Sequence, residues 1–136
     1  MHTTNYFNTF IAVADDCPVE AGEEPVQKTD KPSIAYFQFK MISENPYKYT
    51  SDDVLFEVFA SRNDLTESEK PAARRTFFSK GQACMRSSPL GKRYGWGVHA
   101  DKDGKIAIYP SGSEKYNAFV NDPKLEHTKA MRSKKL

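Results

Sequence analysis

The sequence predicts an α+β domain in which a small antiparallel sheet, formed by an N-terminal strand and a C-terminal hairpin, packs against three to four helices. A chain of 136 residues fits one domain, spanning 1–136, that can bury a core without metal or disulfide staples. Its 9 Phe and 7 Tyr supply core material that a disordered chain lacks. Capped, amphipathic segments in the first half give way, between residues 93 and 109, to apolar and aromatic residues alternating with glycines, which is the period of a strand.

The first strand runs over Phe7 to Val13. Ser33, after Pro32, caps a helix whose Ile34, Phe37, Met41 and Ile42 share a face, and Asn45-Pro46 ends it. A strand is the rival there, because Ala35, Phe37, Phe39 and Met41 also alternate with Tyr36, Gln38 and Lys40; we read a helix. Ser51, Asp52 and Asp53 place a cap and two carboxylates at the positive end of a second helix with Val54, Leu55, Val58 and Phe59 as its stripe. Thr66 and Glu69 have capping-box spacing for a third helix, with Pro71 early enough to be tolerated and Gly81 as the stop.

The hairpin follows. Arg93 to Ala100 and Lys105 to Tyr109 flank Asp101-Lys102-Asp103-Gly104, where Gly104 takes the positive φ the turn needs. Alternation turns Tyr94, Trp96 and Val98 toward the core and puts Arg93, Gly95, Gly97 and His99 on the other face. A last helix from about Ser113 to Val120 presents Tyr116, Phe119 and Val120, with Pro123 beyond it.

Composition narrows the function classes. No apolar stretch is long enough to span a membrane, and the Phe10-to-Ala14 run lacks the basic flank of a signal peptide, so the expected address is cytoplasmic with no membrane partner. Cys17 and Cys84 are expected free, and with only three histidines and no CxxC no structural metal or cofactor is expected. The formal charge of +2 hides segregation. Residues 14–32 form an acidic loop with Asp15, Asp16, Glu20, Glu23, Glu24 and Asp30. From Lys70 to Ala100 there are seven cations and no acid, and residues 123–136 form a basic tail, expected to be solvated.

The run Phe78-Ser-Lys-Gly-Gln-Ala-Cys84-Met-Arg86-Ser-Ser-Pro-Leu90, continued by Lys92-Arg93-Tyr94-Gly95-Trp96-Gly97-Val98-His99, is similar to a family of short bacterial proteins known only as a domain of unknown function. Asn5-Tyr-Phe-Asn-Thr-Phe10 and the segment from Asn45 to Phe56 fit the same resemblance. It implies a stand-alone bacterial protein and supplies no catalytic residues.

The residues themselves single out the segment from Arg86 to His99 as a site for an anionic small molecule. Arg86, Lys92 and Arg93 offer positive charge, Ser87 and Ser88 hydroxyls, His99 a donor or proton carrier, and Gly95 and Gly97 a strip of bare strand on which a ligand can lie. Against this stands the plainer reading that the glycines admit another element of the chain, that Ser87 to Gly91 is an ordinary loop and that the cations are solvated. Three alternatives remain open. Cys84, near Lys80 and Arg86, can act as a thiolate with His99 as base, whereas Cys17 beside Asp15 and Asp16 is disfavoured. Tyr94 and Trp96 can stack bases, although inward-facing aromatics and a modest charge disfavour nucleic acid. The acidic loop of one copy can meet the basic segment of another, giving a self-associating interaction module without catalysis.

Overall fold

The computed structural model describes residues 1–27, 30 and 32–133. Four strands, β1 (Thr9–Ala12), β2 (Trp96–Ala100), β3 (Ile106–Pro110) and β4 (Glu126–Lys129), form one sheet in the order β3-β2-β1-β4. The helices are α1 (Ile34–Ser43), α2 (Ser51–Arg62), α3 (Lys70–Phe77), the short α4 (Pro89–Lys92) and α5 (Glu114–Val120). The fold is α+β, as the sequence predicts, but its sheet is mixed. β1 pairs antiparallel with β2 (Phe10 opposite His99) and parallel with β4 (Phe10 opposite His127). The β2–β3 hairpin is antiparallel, with Val98 opposite Ile108 and Gly104 at φ +80° in its turn.

β1 is central and buried on both faces, so neighbouring residues serve different layers. Ile11 joins Val98, Ala100 and Ile106 against Phe39 and Ile42 of α1, Val54 of α2 and Leu90 of α4. Phe10, wholly buried, points the other way into α5, where it meets Tyr116 edge-on at 5.1 Å and stacks on Phe119 at 5.4 Å. A second, smaller cluster of Phe56, Ala60 and Phe78 lies between α2 and α3.

Several boundaries move for identifiable reasons. α2 is capped by Thr50, not Ser51: Thr50 Oγ1 accepts from Asp53 N–H while the Asp53 carboxylate accepts from Thr50 N–H, a reciprocal capping box. Asp52 instead holds the N-terminal segment, accepting at 2.7 Å from the Thr3 hydroxyl, the Thr4 hydroxyl and Thr4 N–H. The Asp53 carboxyl is held below the usual carboxylate range, since hydrogen bonds from Thr50 and the Arg74 guanidinium outweigh the upward push of burial. α3 stops at Phe77, before Gly81, and buries none of its residues.

The sheet's outer edges are partly covered. Ile106 of β3 donates to Tyr49 O and accepts from Tyr47 N–H, and Pro110 has no N–H to offer. Beyond β4, Arg86 accepts from Met131 N–H through its carbonyl and donates from Nε to Lys129 O, both at 2.7 Å. Among the described residues no helix is long and apolar enough to cross a membrane.

An added Cβ at Gly97 would fall 2.5 Å from Phe10 Cζ and 2.7 Å from Tyr116 Cε2. Gly97→Ala is therefore expected to destabilise the domain by about 1–3 kcal/mol, the cost of overpacking a filled core, read as a lower urea midpoint at unchanged slope. An unchanged midpoint would mean that α5 is free to lift from the sheet.

Candidate functional site

The bare strip expected along β2 is filled by the chain. Phe10 and Tyr116 cover Gly97, while Ala21 O comes within 2.7 Å of the Cβ position of Gly95. The loop after β1 is fastened there, with Glu23 N–H donating to Tyr94 O and the Trp96 indole N–H donating to Glu23 O, both at 2.8 Å. Gly95 also has φ +80°, which breaks the strand period. Arg93, at the C-terminal cap of α4, consequently does not share a strand face with His99.

The six residues singled out from the sequence divide into two groups. Arg86, Ser88 and His99 are engaged elsewhere. Arg86 straps the β4 edge. Ser88, buried, donates to Gln38 Oε1 at 2.6 Å and accepts from Leu90 N–H as the cap of α4. His99 lies on the α5 face, stacked on Phe119 at 4.3 Å.

Ser87, Lys92 and Arg93 do converge, on an open depression of about 440 Å³ between α4 and the start of α1. Pro89 and Tyr94 form one wall, Ser33, Ile34 and Ala35 another, and Arg62 enters from the end of α2. Arg62 and Ser33 belong to the site although sequence reasoning missed them. Ser33 was identified only as a cap, which it is: its Oγ accepts from Tyr36 N–H at 3.1 Å, leaving its own hydrogen free to donate. The first turn of the ten-residue α1 carries no acid to offset its positive end. No carboxylate lines the depression, and among the described residues none pairs with Arg62, Lys92 or Arg93. Three cations, a helix start and a free hydroxyl therefore face one volume, an arrangement suited to holding an anion.

The cysteine and histidine are not brought together. Cys84 Sγ lies 3.3 Å from the Tyr6 hydroxyl, whose titration burial and the thiol push upward. His99 Nδ1 lies 2.8 Å from the Tyr47 hydroxyl, which in turn lies 2.8 Å from the Tyr109 hydroxyl. Tyr47 sits at φ +58°, a conformation bulky side chains rarely adopt, and is held there by this relay and by its N–H to Ile106 O. Burial, then the bond with Tyr109, raises the Tyr47 phenol far above its ordinary value. Trp96 packs on Phe39 at 5.1 Å and is half-buried, so it offers no open stacking platform. Both cysteines are free, and no group of three or more His, Cys, Asp or Glu converges among the described residues.

Fold and depression together define a small α+β domain with a recess lined by three cations. The chain belongs to a family of unknown function, DUF6157, whose model matches residues 1–136. Comparison with curated proteins and with solved structures returns no match.

Burial lowers the pKa of His99, against the opposing pull of Asp101 and Asp122. A histidine depressed in the folded state favours unfolding as pH falls, because the unfolded chain then binds the extra proton. Stability is expected to decline as pH drops below about 6.5, the unperturbed histidine value, and His99→Asn should flatten that part of a urea-midpoint profile. Superimposable profiles for the two proteins would show that His99 carries no such linkage.

Proposed function

We propose that the protein binds an anionic small molecule, carrying a phosphate or carboxylate on a short apolar or aromatic body, in the depression between α1 and α4. One observation carries this reading: Arg62, Lys92 and Arg93 line a single volume with the unneutralised start of α1 and no carboxylate. Two guanidinium groups suit bidentate pairing with oxyanions, and Lys92 adds a movable point charge. Ser33 contributes a hydroxyl, Ser87 lines the wall with its own hydroxyl donating to Met131 Sδ at 3.1 Å, and Ile34, Pro89 and Tyr94 give the ligand's body an apolar surface. In this reading Arg86, Ser88 and His99 support the fold around the site and do not touch the ligand.

The self-association alternative draws less support, because part of the acidic loop is satisfied within the chain. Asp15 pairs with Lys129 at 2.7 Å, and the Asp16 carboxylate accepts from Ser133 N–H at 3.0 Å. Both contacts lie at the surface, where such pairs add little net stability.

At low ionic strength, phosphosugars, nucleotides or small carboxylates are expected to raise the melting temperature saturably, since a ligand selective for the folded state stabilises it by mass action. Arg62→Gln and Arg93→Gln should each weaken that binding about tenfold or more, the loss of one charge-assisted pair, whereas Arg75→Gln, outside the depression, should not. A screen with no saturable shift, or a shift that survives both substitutions, would defeat the reading and favour an interaction module.

A further inference from the structure

A second cavity, of about 390 Å³, opens between α2 and α3 on the smaller core cluster. Its wall is apolar, made by Phe59, Leu65, Ala73 and Phe77. Phe59 and Phe77 stand 4.8 Å apart, and Phe77 also packs on Phe56 at 5.8 Å and Phe78 at 4.9 Å. Phe56 and Phe78 are buried, but Phe59 and Phe77 are only half-covered, so the aromatic cluster continues into the open volume. The arrangement follows from α3, which buries no residue of its own and is held along one side by Arg74–Asp53 at 2.9 Å and Lys70–Glu57 at 3.1 Å.

The polar residues of the rim determine what can enter. Asn63 Nδ2 donates to Phe59 O at 2.9 Å, Thr76 Oγ1 to Ala72 O at 3.2 Å and Gln82 Nε2 to Phe77 O at 2.7 Å. These bonds turn side-chain donors onto backbone carbonyls of α2 and α3. Lys80 remains as the one charged group in the lining, and among the described residues no carboxylate pairs with it. The chain itself brings no acid nearby in sequence, since none occurs from Lys70 to Ala100. An apolar wall ending in one unpaired ammonium is complementary to a body of hydrocarbon or aromatic carbon ending in one negative charge.

We propose that this cavity binds amphipathic monoanions, of which medium-chain and aryl monocarboxylates are the simplest, with the apolar body against Phe59 and Phe77 and the carboxylate on Lys80. The site is separate from the Arg62–Lys92–Arg93 depression. The two differ in kind: one offers three cations and a small apolar wall, the other a large apolar wall and one cation. A cationic amphiphile of equal length meets the same wall but is repelled at its end, and a neutral one gains the wall without the charge.

Calorimetric titration with octanoate, octylammonium and 1-octanol tests this directly. In protein carrying Arg62→Gln and Arg93→Gln, which removes the depression beside α1 as a second carboxylate site, octanoate is expected to bind saturably at one site, at least tenfold more tightly than either of the others. Lys80→Gln should reduce octanoate to the affinity of octanol, and Arg75→Gln, outside this cavity, should leave it unchanged. Ala73→Leu should fill the cavity and abolish binding of all three probes without lowering the melting temperature. Equal affinity for the three probes, no saturation by octanoate, or full retention of octanoate binding in Lys80→Gln would overturn the proposal. Because these titrations are made with the depression beside α1 disabled, the result stands whatever that site binds.

Discussion

The sheet can be covered on both faces because residue 97 has no side chain. Phe10 leaves the middle of β1 and reaches across to β2, and its ring, with that of Tyr116, occupies the place a Cβ would take. From that contact the α5 layer follows: Phe119 stacks on Phe10 and His99, and Tyr109 closes on Phe119 at 4.9 Å. The Tyr116 hydroxyl then accepts from Val13 N–H, tying the helix to the strand's exit. With this side sealed, Ile11 is free to serve the opposite core, where α1 and α4 meet and form the electropositive recess between them.

The recess illustrates how charge segregation along a chain becomes a local field. Lys92 and Arg93 end a one-turn helix started by Ser88 and Pro89, so capping geometry places them beside the start of α1. Several acids of the chain are held elsewhere: Asp52 against Thr3 and Thr4, Asp53 in the cap of α2, Asp15 and Asp16 against the C-terminal residues. An exposed charge near the cations would otherwise neutralise them within a Debye length. The fold thus separates signs that a net charge of +2 conceals.

Much of the architecture was legible in the sequence. Ser33 and Ser113 capped helices as their spacing indicated, and the Gly104 turn appeared where Asp101-Lys102-Asp103-Gly104 foretold it. β4 was not legible, because Glu126-His127-Thr128-Lys129 has neither alternation nor bulk. Its strand character comes from pairing with the buried β1 and from Arg86 behind it, both tertiary facts. The same limit applied to the candidate site. Ser87, Lys92 and Arg93, which charge and spacing single out, line one depression. Arg62 lies thirty residues upstream of Lys92, and only the packing of α2 against α1 brings it there. His99 stands out for its chemistry, but Tyr47, which engages it, and Tyr109, which engages Tyr47, come from two other segments.

The edges of the sheet carry a consequence for the molecule in a crowded solution. A strand pairs with a stranger wherever a run of backbone donors and acceptors is left facing out. Here one flank is partly covered by the Tyr47–Tyr49 segment and a proline, and the other by an arginine whose guanidinium binds the last residue of β4 and whose carbonyl binds Met131 just beyond it. Arg86 therefore acts as a doorstop. Shortening it would leave the depression beside α1 untouched and take away the guanidinium bond to Lys129 O, so that this carbonyl of β4 would face outward unpaired.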